Sequence, residues 1–374
     1  MKNKNIIIIL SGTGGHIYPG IAIAEEFKNS GYDVIFFVAN NQITSKILEN
    51  SKFAHIKFNM SGIPKKKVCA LLIFLIKAKF SLLKALKYIL KLNPIAIIGM
   101  GGYMSVPVIF AAKILNKKTF IHEQNVIFGK SNKLLNKIVD KTFVSFNNYK
   151  KNYRNIFVSG CPIRKSLLLA INKKSILKSE QKTKIFTILV FGGSLGSTVL
   201  NKIACETLLS LNICNKLCVL HITGPNDYIK IKDKIIKKTN DYVIFDYMHN
   251  IYNAYIKSDI VICRSGASTV FELKALNKPA ILIPYPYATN NHQYLNAKEI
   301  EKSNHVIIIE EKNLTKKKLK EAIHVLKKNI NDNNQFSKTK KNILEKNLPQ
   351  RLIVNEIIKT IDTNNSKLKN KRQY

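Results

Sequence analysis

The chain has 374 residues, 46% of them hydrophobic, with 61 Lys and Arg against 23 Asp and Glu, a formal charge of +38. That length suits two domains, and the longest apolar run, Val68–Ile76, falls far short of the ~20 residues a membrane-spanning helix needs. The charge fits nucleic acid, an anionic membrane or an acidic substrate, while lysines spread along the whole length equally fit compositional drift in a Lys-, Asn- and Ile-rich chain.

The N-terminus runs straight into a strand pattern, so the sequence reads as lacking a signal peptide, with a cytoplasmic location expected. Six cysteines form no Cys-x-x-Cys pair and no zinc spacing, and read as free thiols. Apolar, β-rich runs at Ile6–Leu10, Val34–Val38, Ile95–Gly99, Thr119–Ile121 and Thr142–Ser145 predict strands in the first half. Thr187–Val190, Leu217–Ile222, Tyr242–Phe245, Ile260–Cys263 and Ala280–Ile283 predict them in the second. Continuously apolar strands alternating with helical stretches mean parallel sheets covered on both faces, hence two doubly wound α/β domains. The expected division is 1–160 and 161–347, with a helix at 348–361 packing back on the first domain and a fraying tail at 362–374.

Three glycine loops follow predicted strands. They are Ser11-Gly12-Thr13-Gly14-Gly15-His16, Gly99-Met100-Gly101-Gly102-Tyr103 and Gly192-Gly193-Ser194-Leu195-Gly196-Ser197. A strand that ends in glycines and opens a helix presents backbone N–H groups to an anion. A nicotinamide site also needs an acid after the second strand, and Phe37-Val38-Ala39-Asn40-Asn41 has none. No Walker loop and no Asp-x-Asp metal motif occur. No cofactor and no metal are expected.

Six blocks in order resemble the MurG family, the membrane-associated N-acetylglucosaminyltransferases of peptidoglycan synthesis. They are Gly12–His16 with Pro19-Gly20, Gly99–Tyr103, His122-Glu123-Gln124-Asn125, Gly192-Gly193-Ser194, Arg264-Ser265-Gly266-Ala267 with Thr269 and Glu272, and Pro284-Tyr285-Pro286 with His292-Gln293. The resemblance implies two Rossmann-like domains facing across a cleft, the GT-B arrangement. It also implies inverting transfer from UDP-N-acetylglucosamine to the muramyl 4-hydroxyl of undecaprenyl-linked lipid I, giving lipid II.

It implies site residues as well. Donor binding falls to Ser194 at the diphosphate, Met248 at the uracil, Arg164, the segment Ala267, Ser268, Thr269, Val270, Phe271 and Glu272 with Glu272 on the ribose, and Gln293 on the sugar. Thr13, Gly14, Gly15 and Asn125 line the other side, with Gly101 and Gly102 at the acceptor's pyrophosphate. The attacking hydroxyl needs a base, for which His16 is the first candidate and Glu123 the second. Ser265 or Ser268 is expected to cap the helix that follows Cys263. Leu195 stands where the family has glutamine and cannot donate that side chain's hydrogen bonds.

Lys65-Lys66-Lys67 leads into a basic amphipathic stretch, Val68–Leu92. Such a stretch either packs its apolar stripe on the sheet or lies in an anionic interface. A lipid-linked acceptor favours contact with the cytoplasmic face of the inner membrane through Ile73, Phe74, Leu75, Ile76 and Phe80. No specific nucleic acid partner is expected, because the chain has no Trp and no aromatic-basic motif.

Overall fold

A computed structural model describes residues 4–12, 14–40, 42–48, 53–60, 62, 68–149, 153–174, 185–193, 195–212, 217–235, 241–301, 305–332 and 348–370. The chain divides into two units, Met1–Arg164 with Glu345–Tyr374, and Lys165–Leu344. The break follows Arg164 rather than residue 160.

In the first unit β1 (Asn5–Leu10), α1 (Gly14–Asn29), β2 (Asp33–Ala39), α2 (Gln42–Leu48), β3 (Ala54–Phe58), α3 (Val68–Leu92) and β4 (Ala96–Gly99) come first. α4 (Ser105–Ile114), β5 (Lys118–Glu123), α5 (Lys130–Leu135), β6 (Lys141–Val144) and β7 (Ile156–Val158) follow. The strands form a seven-stranded sheet, β3-β2-β1-β4-β5-β6-β7, and every pairing in it is parallel. The period-2 alternation of a strand divides β1 between two cores. Ile6, Ile8 and Leu10 join one beneath α1; Ile7 and Ile9 join the other beneath α3 and α4.

The second unit runs α6 (Lys165–Lys174), β8 (Phe186–Phe191), α7 (Thr198–Asn212), β9 (Leu217–Ile222), α8 (Tyr228–Ile235), β10 (Tyr242–Phe245) and α9 (Ile251–Lys257). It continues with β11 (Ile260–Cys263), α10 (Ala267–Leu276), β12 (Ala280–Leu282), α11 (His292–Glu301), β13 (Val306–Ile308) and α12 (Lys316–Asp332). Its six-stranded sheet has the order β10-β9-β8-β11-β12-β13.

The last helix, α13 (Pro349–Asn370), belongs to the first unit. Ile353, Val354 and Ile357 are buried in the core under α1, and Arg351 Nε lies 3.2 Å from Glu26 Oε1 of α1. The helix continues to Asn370, past residue 362 where fraying was expected.

Three strands escaped the sequence reading: β3, β7 and β13. All are edge strands. β3 alternates polar residues with apolar ones, and β7 and β13, though wholly apolar, are only three residues long.

Both sheets reverse their order at one place, between β1 and β4 and between β8 and β11. Ligands of doubly wound sheets bind at the carboxyl ends of the strands flanking such a reversal. The glycine loops after β1, β4 and β8, and the Arg264–Gly266 turn after β11, all lie there.

Candidate active site

In the first unit the loops after β1 and β4 are locked together. Ser11 Oγ donates to Gly101 O at 2.8 Å and Ser105 Oγ donates to the same oxygen at 3.0 Å. Gly102 has φ +79°, and a Cβ on it would sit 2.1 Å from Ser11 Oγ. The half-buried His16 ring, in the first turn of α1, occupies the space that these glycines leave. A Cβ at Gly12 would meet its Nδ1 at 3.1 Å, and one at Gly101 would meet its Cδ2 at 2.8 Å. Gly14 and Gly15 form the same first turn, which carries no acidic residue, at the helix end whose dipole favours an anion. Thr13 lies outside the described residues.

Glu123, at the end of β5, is buried and saturated with donors. Its Oε1 accepts from Asn125 N at 3.0 Å and Asn125 Nδ2 at 3.2 Å. Its Oε2 accepts from Gly129 N at 3.0 Å and Asn132 Nδ2 at 2.9 Å. Burial pushes the carboxyl's pKa up, and the N–H donors pull it down. The geometry gives Glu123 the work of folding the 125–132 loop, and its oxygens are spent on that. Asn125 is held from both ends, because Tyr149 Oη also donates to its carbonyl at 2.5 Å. His122, fully buried beside it, lies 3.2 Å through Nε2 from Gly160 O, and burial lowers its pKa to about 4. Arg164, half-buried, stacks its guanidinium 4.4 Å from the centroid of Tyr18 on α1, a cation–π contact that fixes the head group. Asn132, Tyr149 and Ser105 support this site and belong to no sequence motif.

In the second unit, the loop after β8 turns back on itself. Gly193 has φ +94° and Gly196 φ +78°, and a Cβ on Gly192 would meet Ser197 N at 2.5 Å. Leu195 is exposed; Ser194 lies outside the described residues. Arg264, buried, is the hub of the site. Its Nη1 donates to Ile283 O and Pro284 O, each at 3.1 Å, and its Nη2 to Ser197 Oγ at 2.5 Å. It pairs with Glu311 and lies 5.4 Å from the centroid of Tyr285. One guanidinium therefore ties together the loops after β8, β12 and β13. Glu311 and Ser197 are members that the sequence did not single out.

α10 opens at Gly266 with no side-chain cap and no acid in its first turn. Neither expected serine caps it: Ser265 Oγ donates instead to Gln293 O at 2.8 Å. Gln293 turns its Oε1 to Tyr285 N, at 3.0 Å. Within α10, Ala267 and Val270 bury their side chains, whereas Ser268, Thr269 and Phe271 are half-buried. Glu272 is buried and accepts from Tyr255 Oη at 3.1 Å, which orients the carboxylate. Met248 is half-buried in the turn after the edge strand β10.

α3 presents an unusual surface. Ala78, Leu82 and Leu86 pack on the sheet, while Leu72, Ile73, Leu75 and Ile76 are more than half exposed and Phe80 is 67% exposed. Phe74 departs from expectation: it is half-buried against the core. Lys79, Lys87 and Lys91 are exposed on the same helix. Lys65–Lys67 lie outside the described residues. No helix among the described residues is long and apolar enough to cross a membrane, and no group of three His, Cys, Asp or Glu among them is arranged to hold a metal ion.

The glycosyltransferase family 28 N-terminal domain matches residues 6–144 and the family 28 C-terminal domain matches residues 187–359. A UDP-N-acetylglucosamine--N-acetylmuramyl-(pentapeptide) pyrophosphoryl-undecaprenol N-acetylglucosamine transferase from Halothermothrix orenii is 34% identical over 340 residues, 87% of this chain and 90% of that relative. The crystal structure of Acinetobacter baumannii MurG superposes with a TM-score of 0.70 at 24% identity, covering 95% of this chain and 99% of that one. UDP-GlcNAc 2-epimerase from Neisseria meningitidis, bound to UDP-GlcNAc, superposes at 0.65 with 12% identity, over 95% and 100% of the two chains. The two structures speak for the fold alone, a two-domain Rossmann-like fold of the GT-B kind. With both halves matched and 34% of residues shared over 87% of this chain, the chain belongs to the MurG family within glycosyltransferase family 28.

Proposed function

We propose that this chain moves N-acetylglucosamine from UDP-N-acetylglucosamine to the muramyl 4-hydroxyl of undecaprenyl-pyrophosphoryl-MurNAc-pentapeptide, with inversion, yielding lipid II. The observation that carries the reading is the setting of His16, in the first turn of α1 and fitted between Gly12 and Gly101. An imidazole there can take the proton of a hydroxyl brought within hydrogen-bond reach.

The acceptor oxygen attacks the sugar's C1 as His16 takes its proton. A new C1–O bond forms on the face opposite the breaking bond to the diphosphate, and UDP leaves with the electron pair. The open N-termini of α7 and α10, neither with an acid in its first turn, and Arg164 stabilise the charge that grows on UDP. Ser194 and the N–H groups of its loop hold the diphosphate, Glu272 the ribose hydroxyls, the Met248 backbone the uracil and Gln293, through its amide nitrogen, the donor sugar. The backbone of Ala267–Phe271 lines the nucleoside. Thr13, Gly14, Gly15, Gly101, Gly102 and Asn125 take the acceptor side. Glu123 acts as a positioning residue for Asn125 rather than as the base, because its oxygens already accept from Asn125, Gly129 and Asn132.

The exposed apolar face of α3, with Ile73, Leu75, Ile76 and Phe80 and its lysines, rests on the anionic cytoplasmic face of the inner membrane, where a lipid-linked acceptor is found. The protein is peripheral there.

The test is to incubate purified protein with UDP-N-acetylglucosamine and a lipid I analogue. UDP released only when the acceptor is present supports transfer. UDP released without acceptor, or formation of the 2-epimer, overturns it in favour of epimerase chemistry.

A further inference from the structure

A buried polar chain runs through the second unit and ends at the loop after β8. Asn201, buried on α7, spends its amide hydrogens on Thr223 O at 2.7 Å and Asp227 Oδ2 at 2.9 Å. Its Oδ1 is thereby left to accept from His221 Nε2, at 3.0 Å, and the ring's Nδ1 then accepts from Tyr242 Oη at 2.8 Å. At the other end Thr198, the first residue of α7, donates from Oγ1 to Asp227 Oδ1 at 3.2 Å. Asp227 and His221 are buried. Each donor in this chain has an acceptor and each acceptor a donor, so it rigidifies what it touches.

What it touches is the loop. Thr223 O, pinned by Asn201, faces Gly196: a Cβ there would lie 2.0 Å from that oxygen. Gly224 answers from the other side, its own Cβ position 2.5 Å from Leu195 O. Two glycine backbones are thus pressed together, and the Thr223–Asp227 turn is the mould for the loop after β8. The apolar core under α7 is made by Leu200, Ala204, Cys205 and Leu208, without help from the polar chain.

We propose that Asp227 is a positioning residue for nucleotide binding: through Thr198 and Asn201 it holds Gly196 and the first turn of α7 where their N–H groups meet a diphosphate. This rests on the donor-site reading above. No sequence motif contains Asp227, and it acts through backbone rather than by touching the ligand.

The experiment measures UDP affinity by calorimetry on the full chain. The variants are Thr198→Val, which removes one hydroxyl at constant shape, Thr198→Ser, Asp227→Ala and the Thr198→Val/Asp227→Ala double. Thr198→Val and Asp227→Ala are each expected to weaken UDP about tenfold, the double no more than Asp227→Ala alone, and Thr198→Ser to bind as wild type does. In turnover, KM for the nucleotide sugar rises with them while KM for the acceptor stays. A purely structural role lowers the melting temperature and leaves UDP affinity within twofold, and that result overturns the proposal. If Asp227→Ala fails to fold, Thr198→Val decides on the same criterion. Wild-type protein that does not bind UDP overturns the donor-site reading and this assignment together; equal binding by wild type and Thr198→Val overturns this assignment alone.

Discussion

Gly101 and His16 are fitted to each other: a single methyl group at position 101 would press on the imidazole at 2.8 Å, from a backbone at φ +97° that favours glycine. Gly101→Ala therefore strains the loop by ~1–2 kcal/mol and displaces the ring. Turnover is expected to fall at least tenfold while the circular dichroism spectrum stays that of the folded protein. His16→Ala is expected to lose about 10²–10⁴-fold in kcat. Near-full turnover by His16→Ala removes it as the base.

Glu123→Gln separates holding a loop from taking a proton. Glutamine has one acceptor oxygen where the carboxylate has two, so the donors at Oε2, Gly129 N and Asn132 Nδ2, face an NH₂ group. A stability loss of about 1–3 kcal/mol is expected from urea unfolding, with turnover falling because Asn125 shifts. The pH profile of kcat keeps its shape. A lost acid limb in that profile instead makes Glu123 the titrating base.

Two buried histidines give the fold an acid-side weakness. Burial lowers His221 to about 3 and His122 to about 4, against an ordinary 6.5. Below pH 6.5 the unfolded chain takes up protons that the folded chain refuses, so stability is full above that pH and is lost as pH falls towards 4 and then 3. Each group contributes a slope of about 1.4 kcal/mol per pH unit at most within its window. Urea midpoints at pH 7, 6 and 5 are expected to fall in step, and His122→Gln to flatten the fall. Midpoints constant across that range contradict the assignment.

The α3 surface and the core beneath it respond to different substitutions. Ile76→Asn with Phe80→Asn is expected to weaken cosedimentation with anionic vesicles and to leave thermal stability unchanged. Phe74→Ala, on the inward side, is expected to cost roughly 2 kcal/mol of stability with vesicle binding retained. Undiminished sedimentation of the double variant removes this face as the contact.

Left-handed asparagines close two helices. Asn116 N bonds to Lys113 O and Lys117 N to Ala112 O; Asn277 N bonds to Lys274 O and Lys278 N to Leu273 O. This is the Schellman pattern, in which glycine is the usual residue at the left-handed position, as Gly31 is after α1. Asn116→Gly and Asn277→Gly are each expected to stabilise by roughly 0.5 kcal/mol, the gain trimmed by glycine's greater freedom in the unfolded chain. The check is a raised urea midpoint.

The strands buried on both faces were legible because their apolar runs are continuous, as Ile6–Leu10 is. β3, with the sequence Ala-His-Ile-Lys-Phe, was not, since an edge strand shows solvent its polar residues. Glycines at strand ends marked the loops after β1, β4 and β8. Side chains that brace it did not show: Glu311 meets Arg264 from 47 positions away and Asp227 meets Thr198 from 29, and pairings of that range leave no local pattern. Glu123, singled out for its chemistry, accepts from Asn125, Gly129 and Asn132, partners no local pattern announces.

The asparagines also change how the remaining glycines are read. Among the described residues six asparagines take positive φ, between 44° and 54°, so this chain tolerates a side chain in many bends where others keep none. Most of its glycines in the two site regions survive because a protein atom stands where a Cβ would be, as at Gly102, Gly192 and Gly196. Gly193 and Gly266 are different: a Cβ on either would meet nothing within 4 Å. At Gly193 the backbone φ of +94° itself calls for glycine, but at Gly266, with φ −61°, bareness serves neither a neighbour nor the fold, and it leaves naked backbone after β11 open to a visitor from solution.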